Sequence, residues 1–201
     1  MRFFFMLYTI KNYRFKTMTT PDPIHEIIEN AYLKANQCAQ LIHGRRVKTD
    51  TRSDVAAGCF AIAQQHHNSI LILLKNNPPL YATAFSILRS LLEATIKGIW
   101  LFHTATDEEI KKFPVENLKK TVNTMIKEIG EQMGKKSSIN TNYWKTLCSY
   151  THTGESQIQH WINTNNLEAY YPEESLRELL KKTEQISSLL YSQIMTLTNE
   201  E

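Results

Sequence analysis

Residues 84–103, AFSILRSLLEATIKGIWLFH, form an apolar run with a helical period and no strand-like alternation. Advancing each residue by ~100° about a helix axis puts Phe85, Leu88, Leu92, Ile96 and Ile99 on one stripe. Arg89 falls angularly between Ile96 and Trp100, so this helix carries a guanidinium at least half buried among hydrocarbon. Glu93 lies one turn further on, at the margin of the stripe and within i,i+4 reach of both Arg89 and Lys97. His103 projects back onto the centre of the stripe. A helix this apolar has to be covered over most of its circumference, and the flanking sequence supplies the cover.

On its N-terminal side the spacing predicts two more long helices. The first runs from about Pro23 to His43, with Ile24, Ile27, Ile28, Ala31, Ala35, Cys38 and Ile42 at helical positions, Asp22 placed to cap it and Gly44 ending it. The second spans about Asp54 to Lys75. Its stripe of Val55, Cys59, Ile62, Ile70 and Leu73 contains His66, while His67 points toward the side of Phe60 and Leu74. Asn76-Asn77-Pro78-Pro79 then breaks the chain, because each proline removes a donor and restricts the residue before it. On the C-terminal side TATDEEIKKFP reads as a short capped helix, and Val115–Gly130 as an amphipathic one through Leu118, Val122, Met125, Ile126 and Ile129. Asn142–His152 and ESQIQHWI are separated by Thr153-Gly154. The last helix, about Glu173 to Thr198, repeats Leu176, Leu179, Leu180, Ile186, Leu189, Leu190, Ile194 and Leu197 along one face. The pattern specifies an all-α fold, an antiparallel helical bundle of four long helices plus shorter ones.

Length and composition agree with this. A chain of 201 residues has room for one domain with a sizeable core, and six Gly and six Pro are few for a turn-rich β fold. The formal charge of +3 is concentrated at the start: residues 1–17 hold Arg2, Lys11, Arg14 and Lys16 and no acid, so the remainder carries 19 basic against 20 acidic residues. The body of the protein is therefore not basic, and global charge gives no reason to expect DNA binding. The apolar run Phe3–Ile10 is too short to span a bilayer and lacks a signal-peptide cleavage pattern. Residues 1–17 read as an N-terminal extension, either upstream of a true start at Met18 or a hydrophobic arm, and residues 18–201 as a single helical-bundle domain. Cys38, Cys59 and Cys148 are odd in number and without CxxC spacing, as expected of reduced thiols in a cytoplasmic protein.

The residues that stand out for chemistry are the polar ones set in apolar context. Arg89, Glu93 and His152 are the candidate catalytic set. His66, His103, Tyr150, Thr151, Thr153 and Gln157 are the candidate binding residues. His152 sits in Ser149–Trp161, SYTHTGESQIQHW, just before a glycine, where a helix end leaves backbone groups free and the protonation of an imidazole is open to tuning. An Arg in an apolar arc needs an acceptor, and the Tyr-Thr-His-Thr-Gly turn is the segment expected to meet it. Trp100, Trp144 and Trp161 are expected in the core. No HExxH or CxxC, no Gly-rich phosphate loop and no GxSxG elbow occurs, so no metal or cofactor is expected.

RSLLEATIKGIWL (89–101) together with WKTLCSYTHTGESQIQ (144–159) resembles a family of uncharacterised bacterial helical proteins that share an Arg-x-x-x-Glu helix and a Tyr-Thr-His-Thr-Gly motif. That family is in turn distantly similar to the HEPN superfamily of compact helical bundles, many of them metal-independent RNases of toxin–antitoxin and phage-defence systems. The resemblance implies RNA as substrate and an antitoxin or other protein as partner; a homodimer is expected on the interaction-module reading below. The superfamily's usual motif places an Arg and a His in one helix. Here Lys145 is the only base between Trp144 and Thr151, so the Arg has to be Arg89, from a different helix.

Two functional classes follow, with a third beside them. In the first, His152 is general base toward a ribose 2′-hydroxyl and Arg89 stabilises charge on the phosphate. In the second, the Arg89–Glu93–His152 network fixes helix register in a non-catalytic interaction module. The third is a site for a small polar ligand lined by the same residues. An accessible cleft favours the first and a sealed network the second.

Overall fold

The computed structural model describes residues 23–116, 119–132, 134, 141–162 and 169–198. Residues 1–17, Asp22 and Leu118 lie outside the described residues. Among those described, about 80% are helical and no strand occurs. The helices are α1 (Pro23–Ile42), α2 (Thr51–Lys75), α3 (Tyr81–His103), α4 (Asp107–Lys112), α5 (Val122–Gln132), α6 (Thr141–Thr151), α7 (Glu155–Ile162) and α8 (Glu173–Leu197).

α3 is the axis of the bundle. Leu91, Trp100 and Leu101 are completely buried, and Phe85, Leu88, Leu92, Ile96 and Ile99 are nearly so. α2 lies against it antiparallel. Arg52 at the start of α2 donates from Nη1 to the carbonyls of Leu101 (2.9 Å) and Ala105 (2.7 Å), and at the other end Leu80 N donates to Leu73 O (2.9 Å). The guanidinium thus satisfies carbonyls at the C-terminal end of α3, where a cation is electrostatically favoured. The close approach of the two helices depends on Gly98, since a Cβ there would stand 2.6 Å from Phe60 Cδ1. α1 runs antiparallel to α2, with Lys75 at the end of α2 paired to Glu29 near the start of α1 (2.8 Å). α8 closes the long-helix layer through Lys34–Glu184 (3.2 Å) and His103 Nε2···Gln193 Oε1 (2.6 Å). One contiguous core reaches from Ile24 to Leu197.

Several boundaries and faces differ from the sequence reading, each for a local reason. α2 starts at Thr51 rather than Asp54, because Asp50 caps it: its carboxylate accepts from Ser53 N (2.9 Å) and Ser53 Oγ (2.6 Å). α5 starts at Val122 rather than Val115, since Thr121 Oγ1 accepts from Thr124 N (3.2 Å) and Val115 is exposed. The buried face of α2 is centred on Phe60, Ala63, His67, Ile70, Leu71 and Leu74, so His67 rather than His66 is the interior histidine and Ile62 faces outward. α2 packs on α1, α3, α4 and α8 at once, so no single stripe describes it. Leu189 of α8 and Trp161 of α7 are likewise on the outside.

Candidate functional site

Arg89, Glu93 and Lys97 form a line along one edge of α3 at i, i+4 and i+8. Lys97 Nζ is 2.9 Å from Glu93 Oε1, while Arg89 Nε stands 3.9 Å from Glu93 Oε2, an ion-pair distance but too long for a hydrogen bond. The guanidinium is therefore only partly held by its own helix. Its Nη1 lies 2.7 Å from His152 Nε2, and its Cζ lies 5.2 Å from the centre of the Trp144 ring. Arg89 Nε is buried with no hydrogen-bond partner among the described residues. Guanidinium nitrogens only donate, so Nε2 of His152 is the acceptor in this contact. The His152 side is exposed to solvent, whereas the Arg89 side chain is only 22% exposed.

The segment that presents His152 is fixed to α3 by backbone carbonyls rather than by apolar packing alone. Ser86 Oγ donates to Tyr150 O (3.0 Å), and Thr151 Oγ1 is shared between Ser86 O (3.2 Å) and Leu147 O (2.9 Å). Gln157, buried, donates to Ala82 O (2.9 Å) and accepts from the Tyr171 hydroxyl (3.4 Å). Burial pushes the Tyr171 phenol up to about 12, so it stays protonated and able to donate. The Tyr150 ring packs on Phe85 (4.7 Å between centroids), and its hydroxyl is 3.4 Å from His160 Nε2. The His160 ring itself stacks on Tyr171 at 4.0 Å. Directly after His152 the chain reverses. Thr153 adopts φ +55, and Gly154 N donates to Ser149 O (2.7 Å). A Cβ on Gly154 would stand 2.6 Å from Ser149 Oγ, the atom that caps Ser156 N, so this turn requires glycine.

Arg89, Glu93 and His152 are thus brought together by the fold. Tyr150, Thr151 and Gln157 act as struts that hold α6 and α7 against α3, and Thr153 supplies the turn. His103 joins α3 to α8 and also accepts, through its carbonyl, from Gln132 Nε2 (2.8 Å). His66 has no contact with Arg89, Glu93 or His152 among the described residues; burial lowers its pKa.

A cleft of about 580 Å³, lined by Arg89 and Glu93 but not by His152, opens between α3, the end of α4, the start of α5 and Trp144 of α6. Its lining includes Arg89, Lys97 and Lys120 against Glu93 and Glu116, together with Phe113 and Trp144. Lys120 is bound to Glu109 (2.6 Å) and Glu128 (2.9 Å), and lies 4.5 Å from the centre of the Trp100 ring. Glu128 also accepts from Trp100 Nε1 (2.6 Å). Lys97, Lys120, Phe113 and Trp144 were not among the sequence candidates. Lys97 was within reach of such a reading, being i+4 from Glu93, whereas Lys120 reaches the cleft only through tertiary packing. Among the described residues no group of three His, Cys, Asp or Glu side chains is placed to hold a metal ion.

No curated protein and no solved structure matches the chain. Residues 60–201, which include the whole of α3, α6 and α7 and so every residue of the site just described, match a family of unknown function (DUF6988), and the chain belongs to that family.

Proposed function

We propose that the Arg89–His152 pair is the catalytic dyad of an HEPN-like, metal-independent endoribonuclease, of the kind used as a toxin or phage-defence effector. The observation that carries this reading is the 2.7 Å approach of an exposed imidazole to a largely buried guanidinium that itself lines an open cleft. A phosphodiester is a stronger acceptor for a guanidinium than a neutral imidazole, and Arg89 Nε makes no hydrogen bond among the described residues that would have to break. Substrate phosphate therefore draws Arg89 away from His152 and frees Nε2. The freed Nε2 takes the proton of the ribose 2′-hydroxyl, whose oxygen attacks the adjacent phosphorus. The P–O5′ bond breaks, and the departing 5′ oxygen takes a proton from water. The products are a 2′,3′-cyclic phosphate and a 5′-hydroxyl, and Arg89 stabilises the charge that develops on the phosphoryl oxygens. Glu93 holds Arg89 loosely, and Trp144 and Phe113 offer ring faces to the neighbouring bases.

The test is incubation of end-labelled tRNA with the purified protein in excess EDTA. Cleavage by the wild type, a loss of about 10²–10⁴-fold in His152→Ala, and no cutting of a substrate carrying a single 2′-deoxy residue at the scissile position are the expected results. Intact tRNA and intact total RNA with the wild type contradict the reading. A second reading, a non-catalytic module in which the network sets helix register, draws on the near-neutral lining of the cleft and on Glu93 bridging toward both Arg89 and Lys97. On that reading Arg89→Ala lowers stability by about 3–5 kcal/mol, as when one member of a buried pair is removed.

A further inference from the structure

A second cavity, of about 450 Å³, lies between α1, α2 and α8 and shares no lining residue with the Arg89 cleft. Its walls are mainly hydrocarbon, from Ile27, Ala31, Ala35, Leu71 and Leu180. Two features distinguish it from a packing defect. The first is His67, only 5% exposed, which lines the cavity next to Tyr191. The Tyr191 hydroxyl is 3.4 Å from His67 Nδ1, and no hydrogen bond to Nε2 is present among the described residues. An imidazole in so apolar a wall is costly unless its nitrogens are matched, and the Tyr191 contact at 3.4 Å is a long one. The second feature is the charge at the rim, where Lys34, Arg177 and Lys181 stand against one acid, Glu184. Lys34 is answered by Glu184 (3.2 Å) and Arg177 by Glu173 (2.5 Å). Lys181 has no ion pair among the described residues.

We propose that this cavity binds a small organic acid with an apolar body, its carboxylate held at the rim by Lys181 and its hydrocarbon seated against Ile27, Ala31 and Leu180. The volume is within the ordinary range for small-molecule sites, the walls match an alkyl chain or a ring, and the unanswered positive charge at the mouth selects an anion over a neutral analogue. Tyr191 keeps its proton, because burial holds the phenol at about 12. The imidazole–phenol pair at the wall therefore presents neutral donors and acceptors to a ligand oxygen. The site stands independently of the RNA reading.

The experiment uses the full chain with decanoate as probe and displacement of bound anilinonaphthalene sulfonate as the signal, with decanol as the uncharged comparison. Saturable displacement by decanoate at one site per chain is expected, with decanol at least tenfold weaker. Lys181→Glu, an exposed change that leaves the core untouched, weakens decanoate tenfold or more and leaves decanol unchanged. Ala31→Trp, checked for native helicity by circular dichroism, removes both by filling the cavity; should that variant fail to fold, Lys181→Glu decides alone. No displacement at millimolar decanoate, equal affinity for decanol, or an unchanged affinity in Lys181→Glu overturns the proposal.

Discussion

α3 is one helix with two kinds of neighbour, and the contrast between them organises the molecule. Toward α2 it meets a close-packed surface where the Phe60 ring crowds Gly98, and Leu91 and Leu101 are wholly buried. Toward α6 and α7 it accepts from Thr151 and Gln157 at its carbonyls, donates from Ser86 to the Tyr150 carbonyl, and meets an exposed imidazole just ahead of a turn. The first region sets the fold through volume and shape, and the second sets a geometry through directional bonds that contribute little net stability each. Substitutions in the first are therefore expected to be read in unfolding experiments, and substitutions at the exposed end of the second in chemistry.

The largest effect is expected at the sealed interface. Leu91→Ala should lower the unfolding free energy by about 2–5 kcal/mol in urea titration, and a loss below about 1 kcal/mol would remove the contrast by showing that α3 is not the axis of the core. The pH dependence comes next. Burial holds His67 at about 4, against 6.5 for a free imidazole. Between these values the unfolded chain binds the proton and the folded chain does not, so stability is full above pH 6.5 and is lost as pH falls toward 4. The loss amounts to roughly 3 kcal/mol. His67→Gln should flatten that slope, as followed by unfolding at pH 7 and pH 4.5. Gly98→Ala pushes a methyl into the Phe60 ring and should cost about 1–3 kcal/mol, measurable as a lowered melting temperature. At the polar junction the sign reverses. Thr153 is β-branched at φ +55, a conformation that costs such a residue on the order of 1 kcal/mol, so Thr153→Gly should stabilise by up to that amount.

The same contrast explains what could be read from the sequence. The α3 core was legible because one helical period places its buried side chains, and Arg89 announced a polar contact because a guanidinium in an apolar arc must find acceptors. α2 was harder. It touches α1, α3, α4 and α8, so buried positions occur around much of its circumference, and the adjacent His66 and His67 offered no periodic signal to choose between them. Asp50 and Thr121 cap their helices through side-chain bonds that the apolar pattern does not register. The Lys120–Glu109–Glu128–Trp100 cluster joins α3, α4 and α5 with the segment ahead of α5, and no spacing within one helix encodes it. Trp161, expected inside, is on the outer side of a short helix whose inner side is taken by Gln157.

The most direct measurement is the unfolding free energy of His152→Ala in urea, taken beside that of the wild type. If the exposed imidazole serves chemistry, as proposed, and not the fold, the change stays within about 0.5 kcal/mol, the ordinary range for a surface substitution. A loss of about 3 kcal/mol or more would show that the Arg89–His152 contact is part of what holds the bundle together, the size expected when a buried polar partner is stranded, and would contradict the account.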